Sequence, residues 1–420
     1  MDDSASGKKP KRKLLIALGA GILAAAATAG VAAAALFAIN AADRTIIESE
    51  QGNPPGLSLR VGGTSYFVMS DYDTGMFAIV RIDDRADATA QEMYRVSFPQ
   101  EGFLGGGISL LFEKNGILYF RESCILQRDG QSMIEATMNP YCELKSLDLR
   151  KENSKPLTIE LKLKPGVSIP AWVIDELEFY HGSGLPLELF LINSVPEKEY
   201  SYLLVAEGTE SSKAVLFKIN CMNGEVECRE GGSVRAGESW AGTRMVRDGF
   251  VYFEKYLERE RKGFSRVDML SYSEEFLVAY PTGRQYLVGS TRVVDGLFYY
   301  SLFDPSSYST FSRGYYYELH CFNLNTRKDT LLLAGESFGA YLGFALYDKL
   351  VYYSDREGIH RCDANGDNYM MLVRNGNSRS FSGPWISGEW LYFFSEHGEM
   401  YRIRLNGEGE PVRVYSLTSQ

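Results

Sequence analysis

Histidine is scarce in this chain, and the scarcity closes off several chemistries. Only His181, His320, His360 and His397 occur, and no pair has zinc-ligand spacing with a cysteine or carboxylate partner. There is no phosphate loop and no dinucleotide fingerprint, so no cofactor is expected. From residue 59 onward no segment keeps a 3.6-residue apolar period, which excludes a helical solenoid. No cysteine follows the N-terminal apolar run, which excludes a bacterial lipoprotein anchor. Basic residues are outnumbered, 44 Lys and Arg against 54 Asp and Glu, for a net charge of −10. An acidic body is a poor partner for nucleic acid or anionic lipid.

What basic charge there is gathers at one end. Lys8, Lys9, Lys11, Arg12 and Lys13 precede 26 uncharged residues, Leu14 to Ile39, with Asp43, Glu48 and Glu50 beyond. At about 1.5 Å per residue that run spans a bilayer as a helix. It exceeds the roughly 7–15 residues of a signal-peptide core. The charge asymmetry places residues 1–13 in the cytoplasm and everything after the transmembrane helix 14–39 outside it. Residues 40–58, with Asn53-Pro54-Pro55-Gly56, read as a stalk. A bacterial, single-pass membrane protein is expected.

Aromatics are plentiful, 27 Tyr and 23 Phe, and they recur in step. A turn residue leads into a short apolar run ending in two aromatics: Tyr66-Phe67, Tyr119-Phe120, Phe179-Tyr180, Tyr252-Phe253, Tyr299-Tyr300, Tyr352-Tyr353 and Tyr392-Phe393. Each is followed by a second strand motif, usually basic or polar, apolar, then Asp or Asn, such as Arg81-Ile82-Asp83 and Arg361-Cys362-Asp363. Asp and Asn suit the turn that follows. Strands repeating with turn signals at this period predict an all-β, seven-bladed β-propeller over residues 59–417.

KLVYYSD followed by GIHRCDANGDN resembles the YWTD-type propeller repeat of low-density-lipoprotein-receptor ectodomains. It resembles still more closely bacterial surface propellers grouped as domains of unknown function. Only Tyr352-Tyr353-Ser354-Asp355 approaches YWTD itself, and seven repeats stand where the receptor propellers have six. The resemblance implies a fold rather than a ligand.

Gly335-Glu336-Ser337-Phe338-Gly339 matches the nucleophile elbow of α/β-hydrolases. An elbow needs a helix after it on a parallel sheet, whereas here a sixth blade must begin at Phe344. Ser337 is therefore read as a loop residue between blades. Asp73-Thr74-Gly75 lacks the second copy an aspartic protease requires. Asp363-Ala364-Asn365-Gly366-Asp367 lacks the distal Glu of a calcium loop. Both read as turns. Among the six cysteines, Cys221 and Cys228 flank a hairpin and Cys124 and Cys142 bracket an insertion, so each pair is a candidate disulfide in an exported domain.

The aromatic-to-Asp/Asn gap is 11 residues in repeat six (Tyr352 to Asp363), but 29 in repeat two, 41 in repeat three (Phe179 to Asn220) and 24 in repeat five. All these insertions fall between second and third strands, hence on one face of the disc, where insertions commonly mark a binding surface. Phe303, Tyr308, Phe311, Arg313, Tyr315 and Tyr316 of repeat five, and Phe190 of repeat three, are the candidate contacts, by analogy with Tyr- and Arg-rich recognition loops. The expected function is recognition or scaffolding of an extracytoplasmic protein or glycan. The alternative is a propeller glycan hydrolase or lyase, which needs paired carboxylates on that face.

Overall fold

The computed structural model describes residues 57–417, except 72–73, 86, 100, 128–140, 152–153, 175–186, 188–189, 192–193, 207–212, 233–241, 258–259, 283, 285, 310–313, 339–342, 376–380 and 396–397. The transmembrane expectation, 14–39, and residues 40–56 of the stalk expected over 40–58 lie outside that range, and Ser58 already belongs to the first strand. Among the described residues no helix is long and apolar enough to cross a membrane.

The chain forms seven antiparallel sheets, the blades of a propeller. Blade 1 holds β1 (Ser58–Val61), β2 (Thr64–Asp71), β3 (Met76–Asp83) and β4 (Gln91–Ser97). Blade 2 holds β5 (Phe103–Lys114), β6 (Ile117–Leu126), β7 (Tyr141–Asp148) and β8 (Leu157–Ile159). Next come β9 (Lys162–Leu163) and blade 3, with β10 (Val195–Glu197), β11 (Tyr200–Ala206), β12 (Lys213–Asn220) and β13 (Glu225–Gly232). Blade 4 holds β14 (Gly242–Arg247), β15 (Phe250–Leu257), β16 (Glu260–Asp268) and β17 (Glu274–Ala279). Blade 5 holds β18 (Leu287–Val294), β19 (Leu297–Ser309), β20 (Gly314–Asn323) and β21 (Asp329–Phe338). Blade 6 holds β22 (Phe344–Tyr347), β23 (Leu350–Ser354), β24 (Gly358–Asp363) and β25 (Met370–Arg374). Blade 7 holds β26 (Phe381–Ser387), β27 (Trp390–Ser395), β28 (Glu399–Arg404) and β29 (Val412–Ser416).

Turn chemistry sets the register. Asn115-Gly116, Asp248-Gly249, Asp295-Gly296 and Asp348-Lys349 each place two successive residues at positive φ between the first and second strands. That is the two-residue turn whose twist matches a hairpin. From each such turn the pairing counts outward identically. A tyrosine always stands opposite the residue that opens the second motif: Tyr66 opposite Arg81, Tyr119 opposite Ser146, Tyr202 opposite Lys218, Tyr252 opposite Arg266, Tyr299 opposite Cys321, Tyr352 opposite Arg361 and Tyr392 opposite Arg402.

Blade 3 corrects the sequence reading. Its second strand starts at Tyr200, and Tyr202 fills the place assigned to Phe179. Most of the supposed hairpin insertion is instead the connection leading into blade 3, part of which, β9, adds in parallel to the outer edge of β13. Phe179-Tyr180 carry the same local aromatic signal and lie outside the described residues.

Seven apolar clusters, one between each pair of neighbouring blades, form the core. The closest inter-blade strand contacts join first strands, as for β1 with β5, β10 with β14 and β22 with β26, which puts the first strands innermost. The ring closes without a shared sheet. Phe67, Met69, Val80 and Ile82 of blade 1 pack on Trp385, Tyr392, Phe394 and Met400 of blade 7. Ser65 and Ser387 share a buried hydroxyl hydrogen bond, and the Trp390 indole donates to the Asp84 carbonyl at 3.3 Å. Burial of seven such faces is the dominant stabilising term, at about 25 cal/mol per Å² of apolar surface removed from water.

Candidate functional site

Antiparallel order puts the second-to-third hairpins and the blade-to-blade connectors on one face, and the tight turns on the other. On the connector face the longest paired strands among the described residues are in blade 5, where β19 runs 13 residues and β20 runs 10. The matching strands of blade 6, β23 and β24, have 5 and 6.

The connector from blade 4 to blade 5 is fastened at both ends, to β15 of blade 4 and to β20 at the base of this hairpin. Tyr280 donates from its hydroxyl to Glu254 Oε1 at 2.9 Å, and Tyr286 donates to Glu318 Oε1 at 2.7 Å. Both glutamates are almost fully buried. Between these two pins, Arg284 reaches Asp304 Oδ2 at 3.5 Å and covers the Tyr316 ring at 4.1 Å. Asp304 Oδ1 accepts from the backbone N–H and hydroxyl of Ser306 at 2.9 and 2.6 Å.

Beneath the rim the chain of polar contacts continues inward. Glu318 Oε2 meets His320 Nε2 at 3.0 Å, and His320 Nδ1 meets Asp329 Oδ2 at 3.0 Å. Asp329 Oδ2 also accepts from the Tyr300 hydroxyl at 3.0 Å. Burial works to lower the His320 pKa, but hydrogen bonds to Asp329 and Glu318 outweigh it and hold the pKa above the ordinary value. Burial, aided by the Glu318 carboxylate, pushes the Tyr286 hydroxyl well above its usual range. Blade 6 repeats the motif at the equivalent register. His360 Nε2 meets Asp355 Oδ1 at 2.6 Å and His360 Nδ1 meets the Tyr369 hydroxyl at 2.8 Å.

This arrangement offers an aromatic and guanidinium rim over a satisfied polar network. Each described carboxylate oxygen of Asp304 and Glu318 already has a partner. Among the described residues no group of three or more side chains suited to holding a metal comes together.

Several sequence expectations land elsewhere. Phe303 is 6% exposed and packs into the cluster between blades 5 and 6, edge-on to Tyr315 at 5.6 Å. Phe190 is fully buried and stacks on Phe217 at 4.1 Å. Neither is a surface anchor. Strand alternation turns Phe303 inward, and Phe190 plugs the space between blades 2 and 3. Tyr315 and Tyr316 are half-buried at the rim. Tyr308 lies in β19, its side chain outside the described residues, as are Phe311 and Arg313. Ser337 sits in β21 opposite Tyr315, a strand residue rather than a loop residue, and β22 follows instead of the helix an elbow needs.

All six cysteines are free thiols. Cys142 pairs with Ser123, one position from Cys124, so the two cysteines point to opposite faces and join different clusters. Cys228 stands opposite Phe217, and Cys221 lies beyond the Ile219–Val226 pair near the turn. At about 3.4 Å per residue that separation is beyond disulfide reach. Missed altogether was the Tyr280–Tyr286 connector. Its YPTGRQY carries three polar aromatic or cationic groups in seven residues, the one signal available.

No family model matches the sequence, and no curated protein matches it. Neither comparison supports a YWTD-type family, and what stands of that expectation is the seven-bladed propeller fold. Among solved structures, the computationally designed protein Ika8 is similar at 12% identity and TM-score 0.40, over 87% of each chain. TolB from Acinetobacter baumannii is similar at 11% identity and TM-score 0.38, over 72% of this chain and 62% of its own. BamB from Moraxella catarrhalis is similar at 12% identity and TM-score 0.36, over 87% of this chain and 84% of its own. These are distant likenesses, and the seven-bladed fold rests on the sheets of this chain itself.

Proposed function

We propose that this chain is a propeller-based binding module that recognises a protein through the connector face of blades 4 and 5. The supporting observation is the asymmetry of the two faces. One carries two-residue turns between the first and second strands of blades 2, 4, 5 and 6 and third-to-fourth connections of about eight residues or fewer, while the other carries the extended β19–β20 hairpin with Tyr315, Tyr316 and Arg284 at its base. Tyrosine and arginine supply contact area and bidentate hydrogen bonding at modest entropic cost. A glycan stacked on the same rings is the variant of this reading that the aromatics also suit. The glycosidase alternative draws no support from Asp304 and Glu318 in blade 5, because both carboxylates are held by neighbouring groups of the chain.

The proposal includes a tether. The basic cluster and uncharged run of residues 8–39 support a single-pass anchor that would hold the propeller outside the cytoplasm.

Photo-crosslinking in the producing cells tests the surface. A photoreactive phenylalanine at Tyr315 should give a discrete protein adduct, and one at Asn325, exposed on the turn face, should give none. Equal labelling from both positions, or none from Tyr315, would sink the reading. Carbonate extraction tests the tether, because an anchored chain stays in the pellet and a chain without 14–39 does not.

A further inference from the structure

Blades 5 and 6 each bury a histidine on the third strand, and each histidine holds a partner nine residues further along the chain. His320 Nδ1 meets Asp329 Oδ2 at 3.0 Å, whereas His360 Nδ1 meets the Tyr369 hydroxyl at 2.8 Å. Replacing the acid by a phenol changes what the imidazole can do.

Proton counting assigns the roles in blade 6. Asp355 Oδ1 accepts from His360 Nε2 at 2.6 Å, and from the backbone N–H groups of Glu357 and Gly358 at 2.7 and 3.2 Å. A carboxylate has no proton to give, so Nε2 carries the imidazole hydrogen. Nδ1 of the neutral ring is then an acceptor, and the Tyr369 hydroxyl donates to it. Hydroxyl, base and orienting acid stand in the order that activates a nucleophile. His320 cannot serve this way, since both its ring nitrogens face carboxylates.

The base is sealed and the nucleophile is not. His360 is fully buried and stacks on the rings of Tyr353 and Tyr369, each at 5.2 Å. Tyr369 immediately precedes β25, the outermost strand of the blade, and is 54% exposed, so a reagent reaches it from solvent. Burial, with the Asp355 and Glu357 carboxylates, outweighs Arg374 and holds the Tyr369 pKa above its ordinary value. The resting hydroxyl therefore keeps its proton, and attack depends on the neighbouring base.

We propose that Tyr369 is a nucleophilic acyl-acceptor site on the outer edge of blade 6, with His360 as its general base and small activated esters as the donors. Tyr369 Oη attacks the ester carbonyl carbon while its proton passes to His360 Nδ1. The bond from that carbon to the leaving oxygen breaks, and the imidazolium returns the proton to the departing oxyanion. The products are O-acyl-Tyr369 and the free alcohol or phenol. The site is separate from the rim of blade 5 around Arg284 and Tyr316.

The test treats the full chain with p-nitrophenyl acetate at about pH 8, where an ordinary imidazole is neutral, and maps the acetylated peptides by mass. Neutral hydroxylamine, which removes O-acetyl but not N-acetyl groups, separates tyrosine from lysine adducts. Tyr369 should be acetylated faster than Tyr141, the other exposed tyrosine among the described residues. His360→Gln should slow the Tyr369 reaction about 100-fold, the scale of general-base catalysis, and leave Tyr141 unchanged. Should His360→Gln not fold, heavy water decides with the wild-type chain. Tyr369 should then react more slowly, because its proton moves during the attack, whereas a phenolate formed beforehand would not slow. No adduct at Tyr369, a Tyr369 rate no faster than that of Tyr141, the same rate in folded His360→Gln, or the same rate in heavy water would overturn the proposal.

Discussion

Tyr300 lies nearly flat on His320, ring centroids 4.9 Å apart and planes 10° from parallel. One blade later Tyr353 repeats the contact on His360 at 5.2 Å and 28°. In both cases the pair faces across strands two and three of the blade. In both the imidazole also meets a carboxylate of the same blade, Glu318 and Asp329 for His320 and Asp355 for His360. Blades 5 and 6 therefore use histidine the same way, as a bridge between stacked ring and acid.

That bridge makes stability depend on pH. The folded-state pKa of His320 is raised because its hydrogen bonds to Asp329 and Glu318 outweigh burial. A raised pKa means the charged form is favoured by folding. Its contribution is complete below the unfolded value of about 6.5 and fades as pH rises through the folded value. Urea unfolding should show His320→Gln less stable than wild type by about 1–3 kcal/mol at pH 6, since two acids lose a charged partner. The difference should shrink at pH 9. A gap independent of pH would show that His320 folds uncharged.

The seven cross-strand tyrosines should be costly to truncate. Tyr352 is 1% exposed and donates to the Leu405 carbonyl of blade 7 at 3.3 Å. Tyr352→Phe should cost about 1 kcal/mol for the hydrogen bond. Tyr352→Ala should cost about 3–5 kcal/mol for the cavity. Denaturant midpoints for the two variants check the ordering.

Thiol chemistry should follow burial. Cys124, Cys142, Cys221, Cys321 and Cys362 are buried, and Cys228 alone is half-buried. Burial raises the Cys124, Cys221 and Cys362 thiols to about 11, which removes the reactive thiolate at neutral pH. Alkylation of the native protein should mark Cys228 first, and all six after unfolding. Intact mass under non-reducing conditions should show no loss of hydrogen to disulfides.

Two glycines should respond very differently to a methyl group. At Gly358, with φ +155°, an added Cβ would stand 1.9 Å from the Val373 carbonyl oxygen. Gly358→Ala should cost about 3 kcal/mol or more through forced strand separation in blade 6. At Gly62, with φ +60°, an added Cβ meets nothing within 4 Å. Gly62→Ala should cost only the left-handed backbone term, about 1–2 kcal/mol. Similar losses at both sites would refute the account of Gly358.

The blade count was legible in the sequence because the repeat is local. A turn, a tyrosine and a second strand ending in Asp or Asn occur within a few dozen residues, and period-two alternation with turn chemistry specifies the hairpin. Six of the seven motifs were placed correctly on that evidence. The insertion in blade 5 was equally visible, since a gap of 24 residues against 11 is a matter of counting. By itself, then, the sequence determined the fold class, the face that carries the long hairpins and the acidic character of the body.

Tertiary structure decided the rest. Phe179-Tyr180 and Tyr202 share one local pattern, and only pairing with Lys218 tells them apart. A register offset of one residue sends Cys124 and Cys142 to opposite faces. Phe303 turns inward while Tyr316 on the partner strand stays at the rim. Glu318 meets Tyr286 across a span of 32 residues, and Arg292 meets Phe344 across neighbouring blades. These contacts depend on which sheet lies beside which, and a periodic sequence repeats the same local signal in every blade without saying which neighbour it will face.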